Sequence, residues 1–132
     1  MKRDLDLIRE LLLKIEQEID FTPKIYSFRF ENKKMTVDGY TDEEVYAHLL
    51  MLLESPFLDG KRYTSGEISI ERLPWQGREF LDTIRDPESW TKTKEAAKKV
   101  GGVGIELMWD LAKTVVKAEV KSRLGFDLLL DF

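Results

Sequence analysis

Two side chains that could do acid–base or metal chemistry together lie one helical turn apart. His48 is the only histidine in the 132 residues, and it follows Glu44 by four positions, which places both on one side of a helix. Such a pair could act as an acid and a base, or could supply part of a metal site. Two ligands are too few for a tight metal site, so we prefer the alternative, a histidine used for packing.

Other patterns of catalysis or metal binding are absent or incomplete. Cysteine is absent, which excludes disulfides, thiolate nucleophiles and zinc–thiolate sites. Asp4, Asp6 and Asp20 lack the spacing of a calcium loop, and the first two are better explained as charges that complement a helix dipole. The glycine-rich run at 101–104 lacks the Lys-Ser/Thr ending of a phosphate-binding loop. We therefore expect no catalytic residues, metal, cofactor or enzyme activity, and keep a metal-dependent enzyme as a third alternative.

Hydrophobic spacing predicts two helices with a strand segment between them. Apolar residues recur every three or four positions over 4–19, which is typical of a helix. Thr41 and Glu44 have the spacing of a capping box at the start of a second helix over 41–54. Between these helices, alternating aromatic residues predict a strand that turns and returns at 35–37.

A hairpin and three more helices are predicted to follow. The segment 57–73 alternates like a β-hairpin, and its turn is either Thr-Ser-Gly at 64–66 or the run at 59–62. Asp86 followed by proline suits the cap and first residue of a helix. The three helices are predicted at 75–85, 87–100 and 104–123.

The order of helix, strand, helix, hairpin and helix is that of a winged-helix protein. The fold class is therefore predicted as α+β, a winged-helix-like domain extended by two C-terminal helices. We expect one domain over 1–132, with its core at about 1–85, a helical extension at about 86–124 and an apolar tail at 125–132.

Three motifs carry a closer resemblance. The chain opens with Met-Lys-Arg-Asp-Leu-Asp-Leu-Ile-Arg at 1–9, and Gly-Tyr at 39–40 precedes Tyr-Ala-His-Leu at 46–49. The third motif, Leu-Pro-Trp-Gln-Gly-Arg-Glu-Phe-Leu-Asp-Thr-Ile-Arg at 73–85, has Pro and Arg where the pattern has Thr and His. These motifs resemble a bacterial and prophage-associated family of uncharacterised proteins, the domain of unknown function numbered twenty-five thirteen. The resemblance covers about 1–100 and implies a winged-helix-like fold without assigning site residues.

The hairpin corresponds to the wing, which in winged-helix proteins can lie along DNA. Basic side chains there contact phosphates. The candidate DNA-contact residues are Lys61, Arg62, Arg72 and Arg78. The alternative is a solvated hairpin whose charges protect its edge from further pairing.

The helix before the wing corresponds to a recognition helix, but its charge argues against DNA. Its first turn carries three carboxylates at 42–44, which would repel phosphates. A protein partner fits this helix at least as well. The residues predicted for its recognition surface are Thr41, Tyr46, Ala47 and His48.

The last helix carries lysines every four residues on one side and an apolar stripe on the other. Such a stripe could pair with a second subunit to form a homodimer, or could pack within the chain against the first helix. The candidate dimer-interface residues are Met108, Leu111, Val115 and Val116.

Charge and hydropathy narrow the class of protein. The net charge is −4, whereas a protein that coats nucleic acid is normally basic. Neither a signal peptide nor a membrane-spanning run is found, so we expect a cytoplasmic protein. Two functions stay open: a regulator that binds duplex DNA through its wing, and a protein-interaction module, such as a phage-derived accessory factor, without a DNA surface.

Overall fold

The computed structural model describes residues 2–19, 23–28, 34–101 and 104–124. Within these residues the protein is a mixed α+β chain of five helices and three strands, in the predicted winged-helix-like order. It divides into two compact units, Met1–Leu81 and Asp82–Phe132. The elements are α1 (Leu5–Glu18), β1 (Lys24–Tyr26), α2 (Asp42–Leu53), β2 (Asp59–Arg62), β3 (Ile68–Arg72), α3 (Trp75–Ile84), α4 (Pro87–Lys99) and α5 (Ile105–Leu124).

Helix α1 forms where the sequence predicts it and supplies much of the core of the first unit. Asp4 caps the helix, because its side chain accepts a hydrogen bond of 3.2 Å from the Leu7 amide. Its apolar face is almost fully buried, which removes five large side chains from water. These side chains are Leu7, Ile8, Leu11, Leu12 and Ile15.

The three strands form one antiparallel sheet in the order β1-β3-β2. In register, Ile25 of β1 lies opposite Ser69 of β3, and Arg62 of β2 lies opposite Ile68. The hairpin turns at the predicted Thr-Ser-Gly, where Gly66 has a φ of 93° that favours glycine. The alternative turn at 59–62 is wrong, because these residues form strand β2.

The predicted return strand at 35–37 is not formed. The structure gives no strand over 34–40, and β1 pairs with β3 instead. Met35 and Val37 are nevertheless buried, at 2% and 7% exposure. Their alternation therefore reflects burial of every second side chain without strand pairing.

Helix α3 packs closely against the segment that leads into the hairpin. Phe80 and Phe57 stack with their ring centroids 4.8 Å apart, and both are buried. A Cβ atom on Gly77 would lie 2.2 Å from the carbonyl oxygen of Phe57, so only glycine fits this position.

The second unit contains α4 and α5. As predicted, Asp86 caps α4 and Pro87 is its first residue; the Asp86 side chain accepts a hydrogen bond of 2.8 Å from the Ser89 amide. The predicted C-cap of α5, Gly125, and the apolar tail lie outside the described residues. Of the helices in the described ranges, none is both long and apolar enough to cross a membrane.

Candidate functional site

Helix α2 begins with the predicted capping box, which fixes the side chains at its start. The Thr41 hydroxyl accepts a hydrogen bond of 3.2 Å from the Glu44 amide, and the Glu44 carboxylate accepts one of 3.0 Å from the Thr41 amide. Both side chains are thereby used in capping. Of the residues predicted for the recognition surface, Thr41 is exposed, and Tyr46 and Ala47 are half-buried.

His48 is a core residue, so its assignment to the recognition surface is wrong. The side chain is 1% exposed. Its Nε2 atom accepts a hydrogen bond of 2.8 Å from the backbone amide of Asp4, which makes Nδ1 the protonated nitrogen that donates to the Glu44 carbonyl oxygen at 2.7 Å. Both ring nitrogens are therefore occupied, and the histidine holds the start of α1 against α2.

Tyr40 completes this contact between the two helix starts. Burial, a hydrogen bond to the Asp4 carboxylate and the nearby charges of Asp6 and Glu44 together raise the pKa of Tyr40 from 10.0 to about 12. The first two sequence motifs thus meet in space, where they join α1 to α2. In the described ranges, no group of three histidine or acidic residues is placed to hold a metal ion.

Two of the four candidate DNA-contact residues form ion pairs across the hairpin. Arg72 Nε lies 2.6 Å from an Asp59 oxygen, and Lys61 Nζ lies 3.7 Å from a Glu71 oxygen. The side chains of Lys61 and Arg72 are 67% and 72% exposed, so these pairs stay open to water. The attraction of these cations for phosphate is reduced by carboxylates already beside them.

The other two candidates are held by uncharged groups. Arg62 Nε donates a hydrogen bond of 3.2 Å to the Tyr46 hydroxyl, and Arg78 Nε donates one of 3.0 Å to the Leu73 carbonyl. Lys61, Arg62 and Arg72 lie on the two strands of the hairpin, whereas Arg78 lies in α3. Within 59–72, however, three basic residues are balanced by Asp59, Glu67 and Glu71, so the hairpin has no excess positive charge.

A groove of about 320 Å³ lies between the start of α2 and the end of the hairpin near its turn. Tyr46 and Phe28 meet edge to face in its lining, with ring centroids 4.8 Å apart and planes at 61°. The remaining lining residues are Asp42, Glu43, Arg62, Thr64 and Gly66. Aromatic and charged groups together in a groove are typical of a binding site.

Sequence reasoning missed Trp75, the first residue of α3. Its side chain is 76% exposed, more than any other large hydrophobic residue in the described part of the chain. The spacing of α3 could have found it, since position 75 lies about half a turn round the helix from the buried Ile84. The signal that could have identified it is a tryptophan on the polar side of α3.

The candidate dimer residues on α5 do not form one exposed surface. Met108 is fully buried and is therefore a core residue, which corrects its assignment to an interface. Leu111, Val115 and Val116 are half-buried. The exposed apolar side chain nearest to them along α5 is Leu107, at 57% exposure.

Comparison with known proteins gives a family and one relative. A family model described as "Hypothetical protein (DUF2513)" matches residues 2–104. A protein of Haemophilus influenzae, described as uncharacterized, is 30% identical over 128 residues that cover 95% of this chain and 100% of the relative. No solved structure matches the chain significantly. Neither description gives an activity, so function has to be inferred from the surface of the molecule.

Proposed function

Because the chain belongs to the DUF2513 family, described only as hypothetical proteins, we propose its function from its own surface. We propose a non-enzymatic, cytoplasmic module that binds another protein through the face carrying Trp75. The observation that supports this most is the 76% exposure of Trp75. Tryptophan contributes strongly to the affinity of protein interfaces, because one side chain buries a large apolar area there.

The backbone around Trp75 is held in place by contacts that its neighbours in sequence make. Gly77, two residues later, packs against the Phe57 backbone with no room for a Cβ atom. Arg78 Nε donates a hydrogen bond to the Leu73 carbonyl, which ties the first turn of α3 to the end of the hairpin. A side chain held on a rigid backbone loses less entropy on binding than one on a loose segment.

The charges near the hairpin also favour a protein partner over DNA. Affinity for duplex DNA comes largely from cations that neutralise phosphates. Here the hairpin is charge-balanced, and α2 begins with three carboxylates, at 42–44. A protein surface can place an opposite charge against each of these charges, whereas the phosphate backbone of DNA, which is uniformly negative, cannot.

Selection from a displayed library of bacterial genomic fragments tests the proposal. Wild-type protein is the bait, and Trp75→Ala is the counter-bait. We expect fragments that bind the wild type and lose about 30-fold in affinity with Trp75→Ala, as measured by calorimetry with purified fragments. The exposed neighbour Gln76→Ala is the matched control and should bind like the wild type. If every selected fragment binds Trp75→Ala equally well, the proposal is wrong.

Duplex DNA is the second candidate, because the element order is winged-helix-like and Lys61 and Arg72 are exposed. Fluorescence anisotropy of a labelled random duplex, at low and then moderate salt, tests it. Under this candidate, the charge reversals Lys61→Glu and Arg62→Glu weaken binding to all sequences alike and flatten its salt dependence. If the wild type binds DNA with micromolar, salt-sensitive affinity, if these variants lose that binding and if the library yields no fragment, the partner is DNA and not a protein.

A further inference from the structure

Trp75 is exposed to solvent outside the grooves of the described part of the chain. Its side chain is 76% exposed, and it lines neither the groove beside β1, nor the groove at the start of α2, nor the groove between α4 and α5. We propose that the indole of Trp75 inserts into an apolar pocket on a folded partner protein. This inference rests on the proposed function and names the kind of partner that the same site takes.

The shape of this surface favours a folded partner over a short peptide. Proteins that bind peptides usually receive them in a groove or along a free sheet edge. Trp75 is the first residue of α3 and lines none of the three grooves, so it offers a large apolar side chain and no cavity to receive one. The cavity therefore has to belong to the partner, and a lasting cavity of indole size needs a packed fold around it.

The area of the indole indicates how much more surface the partner must cover. One buried tryptophan contributes about 150–250 Å², whereas an interface of usual size buries about 800 Å² on each partner. Trp75 therefore supplies at most about a third of that area. The remainder falls on the side chains around it, of which Gln76 and Arg78 are exposed. A folded surface that contains one pocket covers both the indole and these neighbours.

The charged residues on either side of Trp75 in the sequence are balanced. Arg72 Nε lies 2.6 Å from an Asp59 oxygen, and Arg78 is followed by Glu79, which has the opposite charge. Neither an acidic nor a basic occupant is favoured by such a surround. One large apolar side chain among polar neighbours is the arrangement of an interface hot spot, in which the surrounding contacts exclude water from the central residue.

The indole N–H specifies one polar group of the partner's pocket. Trp75 Nε1 donates no hydrogen bond to any described residue, so its donor is left for a partner. A donor that becomes buried without an acceptor weakens binding, and a buried tryptophan N–H usually has one. The pocket therefore combines apolar walls with an oxygen atom, of a carbonyl or a carboxylate, placed to accept a hydrogen bond from Nε1.

Replacing the indole N–H alone tests the pocket. Benzothienylalanine, in which sulfur takes the place of the N–H, is introduced at Trp75 by codon suppression. Calorimetry then measures its affinity for the purified genomic fragments that the wild type selects. We expect the analogue to bind about tenfold more weakly than the wild type, and Trp75→Ala about 30-fold more weakly. An analogue that binds as tightly as the wild type would show that no acceptor meets Nε1, and would overturn the pocket.

Two displayed libraries test whether the partner is folded. The first carries genomic fragments of about 100–150 residues, the usual size of a domain. The second carries peptides of about 15 residues, well below the roughly 40 residues that a chain needs to fold alone. We expect binders that depend on Trp75 from the first library only. Short peptides that depend on Trp75 would overturn the folded partner and leave the protein-binding function standing.

Fluorine magnetic resonance measures whether the indole is buried in the complex. The protein is labelled with fluorotryptophan, and the signal of Trp75 is the one that Trp75→Phe lacks. A dissolved gadolinium chelate broadens the signals of exposed residues, and Trp90, which is 4% exposed, is the buried reference. We expect a selected fragment to protect the Trp75 signal from broadening. A Trp75 signal that stays fully broadened in the complex would place the indole outside any pocket and overturn the inference.

The same experiments separate this inference from the function on which it rests. Domain-sized fragments that depend on Trp75 but bind the benzothienylalanine protein as tightly as the wild type would overturn the pocket and keep the function. If neither library yields a binder that depends on Trp75, the protein-binding function is wrong, and the pocket is wrong with it.

Discussion

His48 is the residue in which the chemical and the structural interpretation differ most sharply. A histidine four residues after a glutamate suggests acid–base chemistry, yet both its nitrogens are used within the chain. The hydrogen bond that its Nε2 atom accepts from the Asp4 amide joins α2 to the start of α1, which is distant in sequence. The residue therefore acts on stability, by fixing the start of α1.

Replacing His48 should lower stability in proportion to the contacts removed. We expect His48→Ala to lower the free energy of unfolding by about 2–4 kcal/mol, because it leaves a cavity and a partly buried amide without its acceptor. His48→Gln should lose less, since its amide oxygen can replace Nε2 as the acceptor. Urea denaturation measures both. Equal losses for the two variants would show that the hydrogen bond to Asp4 contributes nothing.

Tyr40 makes the same contact sensitive to alkali. Its pKa is about 12 in the folded protein against 10.0 for the free side chain, so folding favours the neutral hydroxyl. The stabilisation is fully present below pH 10 and is lost as pH rises through about 12. The difference in unfolding free energy between wild type and Tyr40→Phe should therefore be constant below pH 10 and shrink above it. The exposed Tyr63→Phe is the control, and a difference that stays constant to pH 12 would contradict the assignment.

At the scale of elements, Gly77 decides how closely α3 approaches the hairpin segment. A Cβ atom there would meet the Phe57 carbonyl oxygen at 2.2 Å and a Leu73 methyl carbon at 2.9 Å. We expect Gly77→Ala to lower the free energy of unfolding by about 1–3 kcal/mol, although alanine is the better helix former.

The neighbouring Gln76→Ala provides the control for this prediction. Gln76 is exposed on the same helix turn, so its replacement should change stability by less than about 0.5 kcal/mol. Thermal unfolding of both variants makes the comparison. A Gly77→Ala protein as stable as the wild type would mean that α3 can move away from Phe57 without loss.

The five helices were predictable from sequence to within about one residue at each end, because each has a local signal, whereas the return strand predicted at 35–37 does not form. The capping box of α2, the Thr-Ser-Gly turn and the Asp86-Pro87 start of α4 are chemistry between near neighbours. The pairing of Arg72 with Asp59 was not predictable, because it depends on the register of β2 against β3. The hairpin that the basic residues predicted to be a positively charged wing is therefore balanced in charge.

The site shows the same limit of sequence reasoning. The groove needs Phe28, Tyr46 and Arg62 to come together from three separate segments, which only the fold can establish. Met108 and His48 were placed on surfaces because helical spacing gives a face but not its neighbours. Trp75 could have been found, since it lies on the opposite side of α3 from the buried residues.

At the scale of the whole molecule, the homodimer through α5 stays a prediction from the sequence. Val115 and Val116 are half-buried, so part of each side chain remains for a partner. The homodimer predicts that wild type sediments as a dimer and that Val115→Asp sediments as a folded monomer, since a charge in an apolar interface is costly. Sedimentation with circular dichroism measures both. A monomeric wild type, or a Val115→Asp protein that fails to fold, would place the stripe in the chain's own core.

Strand β3, the middle strand of the sheet, pairs with two strands that should reach it at different rates during folding. Strand β2 pairs with β3 through one tight turn, which closes quickly, whereas β1 must find β3 from the far side of α2. We therefore expect pairing with β1 to form late in folding. Contacts that form after the transition state slow unfolding, so we expect a weakened β1 to shorten the survival of the folded chain against proteases that cleave faster than it can refold.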